Sequence, residues 1–325
     1  RCVYGVDLDP LAVELARLSL WVETMNRDLP FEFLDHRLKV GNALVGCWFD
    51  RFRDYPAMAW MREGGDAAHD NFVHHFRTHV ASRGKKKGEE QRKGDAWTAA
   101  IKQWRDDHVK PALVNWIIGQ GSLLQEIDGR APEVLHDEAV DLLRRMEALP
   151  LHEPEERARF YQTEVQTHAA FQRLVQAFDT WCALWFWPAD DLASAPMPAD
   201  FGRPSASTLA VVQQLRQAHR FFHWELEFAD VFAARGSGFH AIVGNPPWEI
   251  QKPNSKEFFS NIDPLYRTYG KQDAIRRQGD YFRADAADER QWVAYGARFK
   301  ALSNWNKHAA TPFGDPDDGG EAWAL

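Results

Sequence analysis

The first fifty residues confine the chain to a narrow set of folds. Cys2-Val3-Tyr4-Gly5-Val6 is a short apolar run that leads into Asp7-Leu8-Asp9-Pro10. Asp9 suits a helix N-cap, and Pro10 suits the first helical position, where a missing N–H costs nothing. Leu11, Leu15, Leu18 and Val22 then recur at three- and four-residue spacing, widened by Trp21 and Met25, until Leu29-Pro30 stops the pattern. A second strand is expected over Leu38-Lys39-Val40, closed by Gly41-Asn42. Strand, helix and strand at this spacing make a parallel pair joined by a crossover, so the expected class is α/β. The chain opens on Arg1, directly in the first strand, and reads as a fragment of a longer protein.

From residue 51 to about 235 that rhythm is broken. Gly64 to Asp95 is polar, carries a Lys/Arg/Glu/Gly cluster, and predicts a mobile loop. Helical patterns follow over roughly 96–118, 132–148, 155–186 and 205–222. Trp97, Trp104, Trp116, Trp181, Trp185 and Trp187 lie among them, which points to a mainly helical insertion with its own core. The α/β pattern returns at Gly238-Phe239-His240-Ala241-Ile242-Val243-Gly244, an expected strand that runs into Asn245-Pro246-Pro247-Trp248. The expected organisation is therefore a first part of an α/β core over 1–50, a helical insertion over 51–235, and a return to the core over 236–325. The tail from Thr311 to Gly320 is rich in Pro, Gly and Asp and reads as loose.

Composition narrows the function classes. No apolar run approaches a membrane span, and there is no basic segment followed by an apolar one of the secretory type. Cys2, Cys47 and Cys182 are too few and too scattered for a disulfide framework, which predicts buried reduced thiols in a cytoplasmic protein. The net charge of −8 counts against self-sufficient DNA binding by this stretch, while leaving room for a local basic channel. His74, His75 and His79 sit in the polar loop without a plausible partner set, so no metal site is expected.

Three places carry chemistry. Asp7 stands at the carboxyl end of a parallel strand before a helix, where a carboxylate can accept hydrogen bonds from both ribose hydroxyls of a nucleoside cofactor. Leu8 beside it can pack on the adenine, and the alternative for Asp7 is a turn or capping residue. Asn42 ends the next strand on the same edge, where its amide can bond that adenine; alternatively it is a strand-ending turn residue. Asn245-Pro246-Pro247-Trp248 is the most telling. Two prolines fix φ and remove two backbone donors, so the loop is stiff and its carbonyls point outward. With the Asn245 side-chain carbonyl and the flat face of Trp248, such a loop accepts both N–H groups of a planar amine and stacks on its ring.

These stretches resemble the gamma-type amino-methyltransferases, and more narrowly the Eco57I-like adenine-specific enzymes of restriction–modification and phage defence. The similarity rests on Tyr4 to Ala16, on Leu38 to Gly46, and on Phe222-His223-Trp224-Glu225-Leu226-Glu227-Phe228 leading to Ile242 to Trp248. It implies a partial Rossmann-like sheet, S-adenosylmethionine as methyl donor, and the N6 amine of adenine in double-stranded DNA, flipped from the helix, as acceptor. By position it assigns Asp7, Leu8, Asn42 and Ala43 to the cofactor and Asn245, Pro246, Pro247 and Trp248 to catalysis. It also admits partner subunits of a restriction or defence complex. The chain departs from the pattern in three ways: it lacks the family's glycine-rich loop, shows no target-recognition domain, and has Trp248 where Tyr or Phe is common. By itself this stretch is expected to bind the cofactor weakly and to be inactive. The same loop also suits RNA bases or a protein glutamine amide, and a non-catalytic DNA-clamping scaffold is a further alternative.

Overall fold

The computed structural model describes residues 3–24, 34, 36–52, 55–61, 101, 103–120, 127, 130–150, 156, 159–189, 191–200, 203–229, 231–232, 237–245 and 253–309. The expected loop at 64–95, the Leu29-Pro30 stop, the three loop histidines, Trp97, the tail from Thr311, and Pro246, Pro247 and Trp248 lie outside the described residues. The chain forms two units: residues 1–56, 112–187 and 193–244 make the first, and residues 57–111, 188–192 and 245–325 the second.

The first unit starts as the sequence implies. β1, Gly5–Asp7, pairs in parallel with β2, Leu38–Val40, in the register Gly5 with Leu38, Val6 with Lys39 and Asp7 with Val40. Between them lies α1, Pro10–Thr24. Its N-cap is Asp9, whose Oδ1 accepts from the Leu11 N–H at 2.9 Å. The face that packs on β2 is not the leucine stripe, however. Val13 and Leu20 cluster with Leu34 and Leu38, and Arg17, on the same face, donates to the Leu38 carbonyl at 2.6 Å. Leu11, Leu15, Leu18 and Val22 are exposed.

The helices of this unit stack in chain order. The helix Ala169–Trp185 packs against both Pro132–Ala148 and Ala206–His219. Phe171, Leu174, Phe178, Trp181, Leu184 and Trp185 from it are buried. The helical pattern over 155–186 resolves into two pieces. Tyr161–Val165 is a widened π-turn, and His168 then caps the next helix by accepting from the Ala170 N–H. The pattern over 205–222 ends at His219, because Arg220 takes a left-handed conformation at φ 52° and Phe221 forms a parallel bridge with Asn42.

The expected strand at 238–244 is not formed. Residues 237–245 carry no ladder, and Val243 is 97% exposed. An apolar run gains strand hydrogen bonds only beside another strand, and the described sheet contains β1 and β2 alone. Within the segment, Phe239 packs edge-on against Tyr4, Trp224, Phe228 and Phe232. The architecture of the described residues is thus mostly helical with a small parallel sheet.

In the second unit, Lys271–Ala284 packs against Ala286–His308. Their aromatic core joins Phe259, Tyr266 and Trp292 with Phe258, Tyr281, Phe282 and Tyr295. Asp263 Oδ2 accepts from the hydroxyls of Tyr269 and Tyr281 at 3.0 and 2.6 Å. The Tyr281 hydrogen bond is the main cause holding the Asp263 carboxyl below its usual range. No helix among the described residues is long and apolar enough to cross a membrane.

One buried ion pair ties the strands to the helices. Lys39, from β2, donates from Nζ to Glu227 Oε2 at 2.7 Å, to the Glu227 carbonyl at 2.7 Å and to the Tyr161 hydroxyl at 2.6 Å. The same ammonium lies over the rings of Tyr161 and Phe228. Burial pushes the ammonium pKa down, but the Glu227 carboxylate and the Tyr161 hydroxyl outweigh it and hold it above the ordinary lysine range. Burial pushes the Glu227 carboxyl up, and Lys39 outweighs it and holds it below the ordinary glutamate range. The Lys39 contribution to stability is complete below the unfolded value near ~10.4 and is lost as pH rises through the folded one. The Glu227 contribution is complete above about 4.3 and is lost as pH falls through the lowered value. Removing one partner strands a buried charge, so Lys39→Met is expected to cost about 3–5 kcal/mol in urea unfolding at neutral pH. Lys39→Met combined with Glu227→Gln should lose less than the sum of the two single variants, and Glu227→Gln should flatten the acid limb of a stability–pH curve.

Candidate functional site

The carboxyl ends of β1 and β2 lie side by side. Asp7 closes β1, and its carbonyl accepts from the Gly41 N–H at 2.9 Å, which brings the Gly41-Asn42 turn against the end of β1. Asp7 Oδ1 accepts from the Asp9 N–H at 2.8 Å, so the carboxylate does serve the turn. Its other oxygen has no partner among the described residues, and the side chain is exposed. A carboxylate has lone pairs enough for both tasks. Leu8 presents an exposed apolar side chain beside it.

Asn42 has a similar double character. Its Oδ1 accepts from the Leu44 N–H at 3.1 Å, which makes it a turn residue, while its Nδ2 has no partner among the described residues. Its backbone N–H donates to the Arg220 carbonyl at 2.7 Å. The structure thus brings Asp7, Leu8, Asn42 and Ala43 to one edge of the sheet.

That edge is shaped by a second stretch far along the chain. Phe221 to Glu227 lies along Gly41 to Phe49 and bonds to it repeatedly. The Phe222 N–H donates to the Val45 carbonyl at 2.8 Å, and Trp224 Nε1 to the Ala43 carbonyl at 2.9 Å. The Phe49 N–H donates to Glu225 Oε2 at 2.6 Å. The Cys47 N–H donates to His223 Nδ1 at 3.1 Å, so His223 carries its proton on Nε2 and donates it to Asp179 Oδ1 at 3.0 Å. Asp179 also takes Arg216 at 3.1 Å, which fastens the stretch to two helices. Sequence reading placed Trp224 and Glu225 in the resemblance without a role; their role is to hold the Asn42-Ala43 turn and the chain just beyond it. Cys47 and Cys182 are buried free thiols, pushed up by burial, as expected for reduced structural cysteines.

Two glycines permit the close approach. A Cβ on Gly46 would stand 1.8 Å from the Phe222 carbonyl oxygen, and one on Gly41 would stand 2.5 Å from the Phe222 ring. The ring can turn aside, but backbone cannot.

Asn245 belongs to the second unit and is exposed, while Pro246, Pro247 and Trp248 lie outside the described residues. Among the described residues no group of His, Cys, Asp and Glu is placed to hold a metal ion. Arg220 is the residue that sequence reading missed. It carries no local signal, since neither a glycine nor an asparagine marks the left-handed position at the helix end.

Residues 175–282 match the family model described as Eco57I restriction-modification methylase. The matched third of the chain includes Asp179, the Phe222–Phe228 stretch and Asn245 to Trp248, whereas Asp7 and Asn42 precede it. The resemblance read from the sequence is thereby borne out, and the match supports a restriction–modification methyltransferase acting on DNA. No curated protein and no solved structure matches the chain.

Gly46→Ala is expected to cost about 3 kcal/mol or more, because the overpacking falls on backbone. Gly41→Ala should cost clearly less; thermal unfolding of both variants compares them.

Proposed function

We propose that this chain, whose residues 175–282 are Eco57I-like methylase sequence, serves as an adenine-specific DNA methyltransferase. Its methyl donor would be S-adenosylmethionine and its acceptor the N6 amine of adenine. The observation that carries the reading is the pairing of two nucleoside-suited groups at adjacent strand ends, Asp7 with a carboxylate oxygen and Asn42 with an amide nitrogen that have no partner among the described residues. The matched family supplies the reaction class.

The residues fit the nucleoside half of the cofactor. Asp7 would accept from the ribose hydroxyls, Leu8 would pack on the adenine face, and Asn42, with Ala43, would bond the adenine edge. The sulfonium supplies an electrophilic methyl group when it is bound. The rest of the core is proposed to be Rossmann-like. In support, the apolar face of α1 and Ile242 and Val243 are exposed, and a wider parallel sheet with helices on both sides would cover them.

At the acceptor, Asn245 Oδ1 and the Pro246 carbonyl would take the two amine N–H bonds, with Pro247 keeping the loop rigid. Drawing the two N–H bonds out of the ring plane would pyramidalise the nitrogen, so that its lone pair leaves conjugation and faces the methyl group; C–N would form as C–S breaks, and one of the held protons would pass to water. Trp248 would stack on the flipped base and offset part of the unstacking, which costs a few kcal/mol. The chain's contribution is positioning and electrostatic stabilisation, with no covalent intermediate on the protein.

The test is mass spectrometry of nucleosides from the DNA of a methylation-free host that expresses the full-length gene or its Asn245→Ala variant. N6-methyladenine is expected with the first and absent with the second, the variant keeping its melting temperature. N6-methyladenine from the variant would overturn the assignment of Asn245, and its absence from both would overturn the acceptor.

A further inference from the structure

The clearest strain in the described backbone lies at the site. Among the described residues Arg220 is the non-glycine residue with positive φ, at φ 52° and ψ 52°, a conformation that side chains rarely adopt. A helix end that turns left-handed is served without strain by glycine. Arginine there brings a side chain that must be accounted for.

That side chain and its own backbone hold the two strand ends together. The Arg220 carbonyl accepts from the Asn42 N–H at 2.7 Å, and its guanidinium donates to the carbonyl of Leu8. Leu8 follows Asp7 directly, so a single residue spans the two groups proposed to hold the nucleoside. Among the described residues the guanidinium makes no other hydrogen bond, and it is exposed at the rim. A guanidinium bonded to one carbonyl in water contributes little to folding. It does, however, add a side-chain tie from the Asn42 turn to the carbonyl next to Asp7, beside the backbone bond from Gly41 to Asp7.

We infer that Arg220 is a positioning residue for the cofactor, setting the spacing of the Asp7–Asn42 crevice from outside it. The inference rests on the reading of Asp7 and Asn42 as nucleoside ligands. The guanidinium acts on the binding of the methyl donor, since its hydrogen bond is to the carbonyl next to Asp7.

The backbone conformation allows side chain and fold to be separated. Arg220→Gly relieves the left-handed strain while deleting the guanidinium, so its melting temperature is expected to be unchanged or raised. Full-length enzyme carrying Arg220→Gly, Arg220→Lys or Asp7→Ala would be compared by steady-state methylation kinetics and by calorimetry with S-adenosylmethionine. Arg220→Gly is expected to raise KM and Kd for S-adenosylmethionine about three- to fivefold, the upper worth of one exposed charged contact, with kcat within twofold. Arg220→Lys should restore most of the affinity. An unchanged KM in Arg220→Gly while Asp7→Ala weakens binding would overturn the role of Arg220 and leave the crevice standing. Unchanged binding in Asp7→Ala would overturn the crevice reading and this inference with it. A lowered melting temperature in Arg220→Gly, or a fall in kcat instead of a rise in KM, would also overturn it.

Discussion

A lysine ammonium leaves water only where other dipoles and a countercharge replace its hydration. Lys39 finds these in the Glu227 carboxylate, the Glu227 carbonyl and the Tyr161 hydroxyl, with two aromatic faces around them. The requirement is geometric as well as energetic. For Lys39 to be buried, β2, the π-turn at Tyr161 and the Trp224–Glu227 helix must all converge on one point. The rest of the first unit follows from that convergence. Glu227 brings Phe221 to Phe228 with it, and that stretch lies along Gly41 to Phe49 and sets the turn that carries Asn42.

The stretch that carries the family resemblance is therefore a clamp. Phe222, His223, Trp224 and Glu225 touch the backbone of the loop after β2, by hydrogen bonds to Val45, Cys47, Ala43 and Phe49 in turn. Backbone groups at the end of a short sheet need such partners, since two strands of three residues hold few ladder bonds of their own. The aromatic residues exclude water from these bonds. Gly46 is the place where the clamp closes most tightly.

What could be read from the sequence divides along a physical line. Features set by neighbours in sequence were legible. The β1–α1–β2 order, the Asp9 cap, the helix over 132–148 and the adjacency of Asp7 and Asn42 all follow from local periodicity and capping. Features set by distant partners were not. The spacing of Leu11, Leu15, Leu18 and Val22 shows a stripe, but nothing in it says that Val13 and Arg17 face the sheet instead. Lys39 reads as the polar residue of a strand, and only Glu227 makes it a buried one. The apolar run at 238–244 has the composition of a strand, yet a strand needs a neighbour, and here Phe239 packs among rings instead. Arg220 is illegible for the same reason, since its conformation is imposed by the turn toward Asn42.

The partners in the Lys39 ion pair lie 188 residues apart in the chain. At about 5–20 residues per second, synthesis separates their emergence by roughly ten seconds or more. Throughout that interval β2 has its lysine but no anion, and the loop after it has no clamp. The loop after β2 therefore takes its held form late on the ribosome, after the helices between have emerged. The turn that carries Asn42 in a nascent chain has no such support until residues 221–227 have been made.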